Sequence, residues 1–421
     1  MKRSAPQGAP PGDFSFHAGW MIDGSGAPAR PNIRVTVAGG SIRAMEAIGP
    51  GASPAEPAAD HDWRGFTVIP GLIDSHVHLA RTGSPDERLR AWLREAPFEQ
   101  VREVIRDNLR SHLLHGVTAV RDGGGARGFA LRFARGTDDR PRLPVRIRAA
   151  GRAWHRAGRY GGLIGRPPAP GRSLAAAIRE DEERPDQVKV VNSGLNSLTE
   201  FGKQTAPQFD PEDLAAAVAA AAARGCQVMV HANGVLPVRG AVAAGCRSVE
   251  HGFFMGSDTL ARMAARGVTW VPTAVTMQAH AERFSAGGRD PDAARRTLDH
   301  QLEQLVVARR AGVTVALGTD SGSPGVHHGR AVIAEMNLLT QAGFPIEAVI
   351  RCATADAAPL VAGGDGRLAP GRPATFVVVP GAPADLPGSL LNVHAVFIDG
   401  LPSGLGGLPA GGRIFPSGAS T

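Results

Sequence analysis

The amino-acid sequence predicts an α/β fold: a (β/α)8 TIM barrel with a small β-sandwich domain formed by the N- and C-terminal segments. Eight short apolar runs alternate with helix-like stretches rich in Ala, Arg and Leu, which is the pattern of parallel strands joined by crossover helices. Strand-like segments with Gly-containing turns lie near both ends of the chain, so the two ends are expected to pair with each other. The predicted barrel strands are residues 67–78, 117–122, 145–150, 187–192, 227–232, 248–251, 269–275 and 314–320.

These patterns divide the chain into three regions. Residues 1–13 are rich in Pro and Gly, which predicts a disordered N-terminus. Residues 14–65 and 366–421 are expected to form the composite β-sandwich domain. Residues 66–365 are expected to form the catalytic barrel, in which active sites lie at the carboxyl ends of the strands.

Composition excludes several classes of protein. Apolar residues make up 43% of the 421 residues, enough for a substantial core, and no apolar run is long enough to cross a membrane. Three cysteines without metal-type spacing indicate a reducing, cytoplasmic location. The net charge of +7 raises the question of nucleic acid, but the basic residues are scattered and there is a single tyrosine for base stacking. We therefore expect a small-molecule substrate, no nucleic acid and no membrane, and a homo-oligomer remains open.

Residues of metal-ligand type follow the predicted strands. His76 and His78 are two apart on one strand, so both side chains point to the same face. His231 and His251 end two consecutive predicted strands, and Asp320 ends the last one. A single histidine of this kind could equally be a core residue bonded to backbone, and an aspartate could form an Asx-turn or cap a helix.

Lys189 interrupts a β-branched run in a predicted buried strand. A buried charged lysine is costly unless it is paired, and burial lowers its pKa so that the neutral amine becomes available. A neutral amine can react with carbon dioxide to give a carbamate, an anion that can bridge two metal ions. The alternative is a protonated lysine paired with Asp320 or Asp122.

These residues and their order resemble the amidohydrolase superfamily, most closely the imidazolonepropionase-related group that contains metal-dependent Xaa-Pro dipeptidases. The resemblance covers about residues 66–365 and the flanking β domain. It implies two divalent metal ions, with zinc expected and manganese, cobalt or iron as alternatives, and Asp320 as the catalytic proton carrier. The implied ligands are His76, His78 and Asp320 for the first metal, His231 and His251 for the second, and carboxylated Lys189 between the two.

The resulting hypothesis is a binuclear hydrolase of amide or peptide C–N bonds. The family's mononuclear deaminases tend to carry a glutamate three residues after the histidine of the fifth strand, whereas Gly234 stands there in this chain. This difference and Lys189 favour hydrolysis over mononuclear deamination. Two further hypotheses stay open: ring opening of a cyclic amide or lactone, and a catalytically degenerate barrel that only binds its ligand.

Four residues are predicted to contact the substrate. His155, Arg159 and Tyr160 lie in an Arg-rich loop after the third predicted strand, and His328 follows the eighth. Arginine forks bind carboxylates through two hydrogen bonds, so the expected substrate is a small carboxylate, such as a dipeptide or an N-acyl amino acid. The alternative is that the arginines of this loop are simply solvated.

Overall fold

The computed structural model describes residues 12–49, 59–136, 143–361 and 364–404. The strands are β1 (Phe14–Met21), β2 (Arg30–Ala38), β3 (Ser41–Ala47), β4 (His61–Pro70), β5 (Leu72–Val77), β6 (Val117–Asp122), β7 (Arg146–Ala149), β8 (Ala153–Trp154), β9 (Gly165–Arg166), β10 (Val188–Val191), β11 (Val228–Ala232), β12 (Ser248–His251), β13 (Thr269–Val271), β14 (Phe376–Pro380), β15 (Ala395–Ile398) and β16 (Leu401–Pro402). The helices are α1 (Glu87–Glu95), α2 (Phe98–Leu114), α3 (Phe129–Arg135), α4 (Leu174–Glu180), α5 (Pro211–Ala222), α6 (Val235–Ala243), α7 (Ser257–Arg266), α8 (Val275–Ala286), α9 (Asp292–Ala311), α10 (Arg330–Gln341), α11 (Ile346–Cys352) and α12 (Ala358–Val361).

Both ends of the chain contribute to one sheet of seven strands, in the order β16-β15-β14-β4-β1-β2-β3. Its apolar face is aromatic: the ring of Phe16 lies 4.9 Å from Trp63 and 5.0 Å from Phe376, which stacks on Phe397 at 4.8 Å. The pairing of the two ends therefore agrees with the alternating pattern of the sequence. A sandwich of two packed sheets stays a prediction, because the described strands form one hydrogen-bonded sheet, and residues 1–11 and 405–421 lie outside the described part.

The central strands form two parallel sheets, ordered β5-β6-β7 and β13-β12-β11-β10-β8-β9. Residues 314–320, predicted as the eighth strand, form no regular strand: an isolated parallel bridge pairs Val315 with Trp270, a second pairs the following residue, Ser321, with Val77, and individual backbone hydrogen bonds reach Ser75 and His76. Gly318 explains the irregularity, since a Cβ atom there would lie 2.4 Å from a methyl carbon of Val271. The segment thus lies between β13 and β5 without being a regular strand.

Two other predicted strands differ from the structure. The strand predicted over 67–78 is divided at Gly71: β4 pairs with β14 in the seven-stranded sheet, and β5 pairs with β6 in the parallel one. A Cβ atom at Gly71 would lie 2.4 Å from the hydroxyl oxygen of Thr118, so the close approach needs glycine. The strand predicted over 269–275 ends at Val271, and α8 begins at Val275.

Helix α5 shows how the sequence defines local structure. Asp210 accepts a hydrogen bond from the backbone N–H of Asp213 at 2.8 Å, and Pro211 occupies the first turn, where no N–H is needed. This start agrees with the Asp-Pro signal in the sequence. No helix in the described ranges combines the length and apolar character that a membrane span requires.

Candidate active site

Three of the predicted ligands form a tight group beside the carboxyl end of β5. Ligand atoms of His76, His78 and Asp320 all lie within 4.8 Å of one another. Asp320 Oδ1 is 3.2 Å from His78 Nε2 and 3.7 Å from His76 Nε2. His76 is in β5 and His78 follows directly after its last residue, Val77, while the irregular segment after Gly318 brings Asp320 next to them.

The other two histidines lie directly beside this group. The ring of His251 is 4.9 Å from that of His76 and 4.6 Å from that of His231. The closeness of His231 and His251 follows from the pairing of β11 with β12, because the two strands are parallel neighbours and each histidine lies at the carboxyl end of its strand. The structure therefore gathers the four histidines predicted as ligands and Asp320 at one place.

Hydrogen bonds select which ring nitrogen of each histidine faces the site. His76 Nδ1 lies 2.7 Å from Glu250 Oε2, and His78 Nδ1 lies 2.7 Å from the carbonyl of Gly124. Carbonyls and ionised carboxylates only accept, so each Nδ1 carries a hydrogen, and in the neutral ring Nε2 keeps the lone pair that a metal ion would use. His231 uses the opposite nitrogen, with Nε2 3.2 Å from the Gly194 carbonyl, which leaves its Nδ1 as the ligand atom.

Burial favours the neutral form of His76, His231 and His251, the form that binds metal. It lowers the pKa of His76 to about 4 and that of His231 to about 3, in both cases with the charge of Lys189 as the next cause. The pKa of His251 is also lowered, by burial and then by His231. Asp320 behaves in the opposite sense: burial would raise its pKa, but the neighbouring histidines outweigh burial and hold it well below the ordinary value.

Lys189 lies beneath the histidines, 1% exposed, and its Nζ has no hydrogen-bond partner. The expected alternative, an ion pair with Asp122 or Asp320, is therefore not formed. Burial lowers the pKa of Lys189 to about 8, so about a tenth of the amine is neutral at pH 7, far more than for an ordinary lysine.

A buried ionic network behind the ligands was missed by sequence reasoning. Arg121 donates to Glu250 Oε1 at 3.2 Å, to Ser248 Oγ at 2.9 Å and to Gln187 at 2.7 Å, and both charged side chains are fully buried. Glu250 in turn holds His76 through its other oxygen. The available signal was an arginine in β6 and a glutamate in β12, charged residues within short strands that are otherwise largely apolar and buried.

Unusual backbone conformations cluster at the same site. His251, Thr273 and Asp320 have φ angles of +69°, +46° and +56°, a region that non-glycine residues seldom adopt. Thr273 is also the partner of His251, with Oγ1 2.7 Å from Nδ1. Since such conformations concentrate at functional sites, they support a functional role for these three residues.

The ligand-type residues line a cavity of about 310 Å³, and Lys189 lies in its floor. Tyr160 is in the wall, with its ring 5.5 Å from that of His231. Burial, then the charge of Asp320, raise the pKa of Tyr160 to about 12, so the hydroxyl stays protonated and can donate a hydrogen bond.

The other three predicted substrate contacts do not line this cavity. The side chain of His155 is bonded to the backbone carbonyl of Arg156 at 2.9 Å, and Arg159 donates to the carbonyl of Ala206 at 3.2 Å. His328 is buried against Ser321 and the carbonyl of Arg81, each at 3.0 Å. Their role in substrate binding stays a prediction.

The site fits divalent metal ions in the chemistry of its donors. Lys189 Nζ and His76 Nε2 are both buried without a hydrogen-bond partner, although buried polar atoms are nearly always satisfied. In His76, His78 and His231 the ring nitrogen that points away from the site is hydrogen-bonded to a carboxylate or a backbone carbonyl, which fixes the tautomer of each neutral ring. This arrangement is typical of metal-binding histidines. The group of His76, His78 and Asp320 offers two imidazoles and a carboxylate to one ion.

Comparison with known proteins agrees with this geometry. A protein of Mycobacterium tuberculosis (strain ATCC 25618 / H37Rv) described as uncharacterized is 29% identical over 340 residues, which are 80% of this chain and 83% of the relative. Ochratoxinase from Aspergillus niger is 26% identical over 379 residues, 83% of this chain and 76% of the relative. The crystal structure of a Xaa-Pro dipeptidase with bound methionine in its active site superimposes with a TM-score of 0.75 and 25% identity, covering 93% of this chain and 99% of the other.

The expected resemblance to Xaa-Pro dipeptidase-like amidohydrolases, whose folds are TIM-barrel-like, is thereby confirmed. Residues 67–402 match the amidohydrolase family, a span that includes every predicted ligand. This chain therefore belongs to the amidohydrolase family and is a hydrolase.

Proposed function

We propose that the protein is a binuclear metal-dependent hydrolase of amide C–N bonds in small carboxylate-bearing substrates, such as dipeptides or N-acyl amino acids. The observation that carries the proposal is Lys189, a buried amine without a partner among five side chains of ligand type. Carboxylation of Lys189 would turn this unpaired group into an anionic ligand between two ions. The ligands would be His76, His78 and Asp320 for one ion, and His231 and His251 for the other.

The scaffold supports this assignment. We infer that the central strands form the (β/α)8 barrel expected from the sequence, with residues 314–320 as its eighth member. The parallel bridges from that segment to Trp270 and Val77 support a closed arrangement. In such barrels the carboxyl ends of the strands carry the chemistry, which is where the ligands lie.

Two bound divalent ions, zinc being the expected metal, would supply a water of lowered pKa and polarise the scissile carbonyl. Asp320 is ionised because of its histidine neighbours, so it can take the proton of the attacking water. As the C–O bond forms and the C–N bond breaks, Asp320 passes this proton to the nitrogen of the leaving amine. Ser323 Oγ donates to Asp320 Oδ2 at 2.8 Å and orients the carboxylate.

Tyr160, which lines the same cavity, would assist the reaction. Its hydroxyl remains protonated because its pKa is about 12, so it can donate to the substrate carbonyl oxygen as negative charge develops there. Its ring, packed beside His231, would also shield the reacting bond from water.

The decisive experiment is elemental analysis of protein produced with zinc and bicarbonate, for wild type, Lys189→Ala and Lys203→Ala. Lys203 is the matched control, an exposed lysine paired with Glu200 at 2.8 Å. About two metals per chain in wild type and in Lys203→Ala, with a clear loss in Lys189→Ala, is the expected result. One metal in all three would make Lys189 structural, and none would indicate a degenerate scaffold that only binds ligands.

A panel of substrates follows the metal analysis. N-acetyl amino acids and dipeptides should be hydrolysed faster than cyclic amides or lactones. Faster ring opening would replace the proposed reaction by imidazolonepropionase-like chemistry.

A further inference from the structure

A second cavity of about 370 Å³ adjoins the catalytic one. The two cavities share part of their walls, including His78, one of the candidate metal ligands. The shared lining residues are His78, Arg81, Arg90, Arg94 and Leu163. A molecule with its scissile bond at the candidate metal site would therefore lie next to the second cavity, here called the side cavity.

The junction between the cavities is positively charged. Burial, and next the charge of Arg81, lower the pKa of Arg90 to about 10. Arg90 is nevertheless committed to structure, since its Nη1 donates to the carbonyls of Thr82, Ser84 and Gly322 at 2.8, 3.4 and 3.2 Å. Arg94 is exposed at the end of α1.

Arg81 differs from Arg90 in having no side-chain partner among the described residues, and from the exposed Arg94 in being half-buried. Its side chain is half-buried and makes no hydrogen bond or ion pair with any residue that the structure describes. Its backbone is held firmly: the N–H donates to the carbonyl of His78 at 3.0 Å, and its own carbonyl accepts from Asn108 and His328 at 3.0 Å each. A guanidinium on a fixed backbone, unpaired at a cavity junction, is prepared for a carboxylate.

The side cavity is mainly apolar beyond this junction. Its walls include Leu93, Val101, Phe129 and Ala130, together with the shared Leu163. Arg127 also lines it, but its Nη1 donates to the carbonyl of Ala96 at 2.7 Å and its guanidinium lies 4.5 Å from the Phe129 ring centroid. The cavity thus combines apolar surface with two arginines at its entrance, the half-buried Arg81 and the exposed Arg94, and the carboxylates of Glu95 and Asp122 also line it.

We propose that Arg81 binds the carboxylate of the substrate's C-terminal amino acid and that the side cavity receives the large apolar side chain of that residue. This inference rests on the proposed function and adds which end of the substrate is recognised, by which residue, and with which preference. It also moves carboxylate recognition from Arg159, which is bonded to the Ala206 carbonyl, to the residue three positions after His78. His328 then acts as a positioning residue, through its hydrogen bond to the Arg81 carbonyl.

The test uses a probe that cannot be hydrolysed. 3-Phenylpropanoate has the carboxylate and the apolar group but no amide bond; 3-phenylpropanamide lacks the charge, and acetate lacks the ring. Each is titrated by calorimetry into metal-loaded wild type, Arg81→Met, Arg88→Met and Leu163→Ala. Arg88 is the matched control, an exposed arginine of α1 that lines neither cavity.

We expect wild type and Arg88→Met to bind 3-phenylpropanoate alike, and Arg81→Met to bind it about tenfold to a hundredfold more weakly, with binding of the amide unchanged. Leu163→Ala should bind 3-phenylpropanoate severalfold more weakly than wild type does, and its affinity for acetate should be unchanged. Equal affinity in Arg81→Met and wild type, or no binding by wild type, overturns the inference.

Turnover separates this inference from the proposed function. If wild type binds the probe but hydrolyses no N-acetyl amino acid, the proposed function fails and the anion site stands. If wild type hydrolyses N-acetyl-phenylalanine and Arg81→Met does so with equal efficiency, the inference fails alone.

Discussion

Glu250→Gln tests whether the buried network behind the ligands holds the site together. Glu250 accepts from Arg121 with one oxygen at 3.2 Å and contacts His76 Nδ1 with the other at 2.7 Å. Burial would raise its pKa, but Arg121 and His76 outweigh burial and lower it, so the carboxylate is charged. Glutamine has nearly the same shape but no charge, and its NH2 group would face a hydrogen-bond donor, either Arg121 Nη1 or His76 Nδ1.

The contacts set the size of the effect. At 3.2 Å and an effective dielectric constant of about 20, the attraction between Arg121 and Glu250 is about 5 kcal/mol. Removing one partner of a buried pair leaves the other charge uncompensated and typically costs about 3–5 kcal/mol, a large part of the about 5–15 kcal/mol that stabilises a typical domain. The weakened hold on His76 should also reduce metal affinity about tenfold to a hundredfold.

The assay is urea unfolding of the apoprotein, together with metal retention against a graded chelator. Glu200→Gln is the control, because Glu200 is in an exposed pair with Lys203 at 2.8 Å, and such pairs are worth about 1 kcal/mol or less. The double variant Arg121→Met/Glu250→Gln should recover much of the lost stability, since no charge is left unpaired. A Glu250→Gln protein that unfolds like the control and keeps its metal would refute the reasoning.

Three further outcomes are expected. Asp320→Asn should lower kcat by at least about a hundredfold while most of the metal is retained; near-normal turnover would remove the proton-carrier role. Tyr160→Phe should lower kcat about tenfold to a hundredfold with little change in metal content, and the wild-type pH profile should show no loss of activity near pH 10, because the pKa of Tyr160 is about 12. Because the pKa of Lys189 is lowered to about 8, the fraction of neutral amine increases between pH 6.5 and pH 8.5. Protein loaded with zinc and ¹³C-bicarbonate should therefore show a stronger ¹³C carbamate signal at pH 8.5 than at pH 6.5. A carbamate signal that does not depend on pH would contradict this expectation.

Strand positions could be predicted for strands that are buried on both faces and therefore appear in the sequence as unbroken apolar runs. The sequence-based limits of β6 and β12 agree with the structure, and β10 and β11 differ by one residue at most at each end. Buried parallel strands appear as short continuous apolar runs, so a ligand-type residue closing such a run marks the carboxyl end. For this reason the positions of His231 and His251 could be inferred from the sequence alone.

Predictions weakened where tertiary contacts decide the conformation. The turn at Gly71 between two sheets depends on Thr118, and the irregular eighth segment depends on the close approach of Gly318 to Val271, neither of which is local in sequence. The Arg-rich loop shows the same limit for side chains. Arg152 pairs with Glu183 at 2.6 Å and Arg156 donates to the carbonyl of Gln208 at 2.9 Å, so residue type alone did not identify the available cation.

The buried charges explain why lysine, and not arginine, stands at position 189. Lysine occurs three times among 46 basic residues, so its presence in a fully buried strand runs against the chain's own bias. Arg121 already supplies a permanent buried cation, and Glu250 is the carboxylate that pairs with it. A second permanent cation beside them would lack a partner, whereas lysine can lose its proton and become an anion by carboxylation. The proposed carboxylation of Lys189 needs a group whose charge can change sign, and among the basic side chains an amine meets that need.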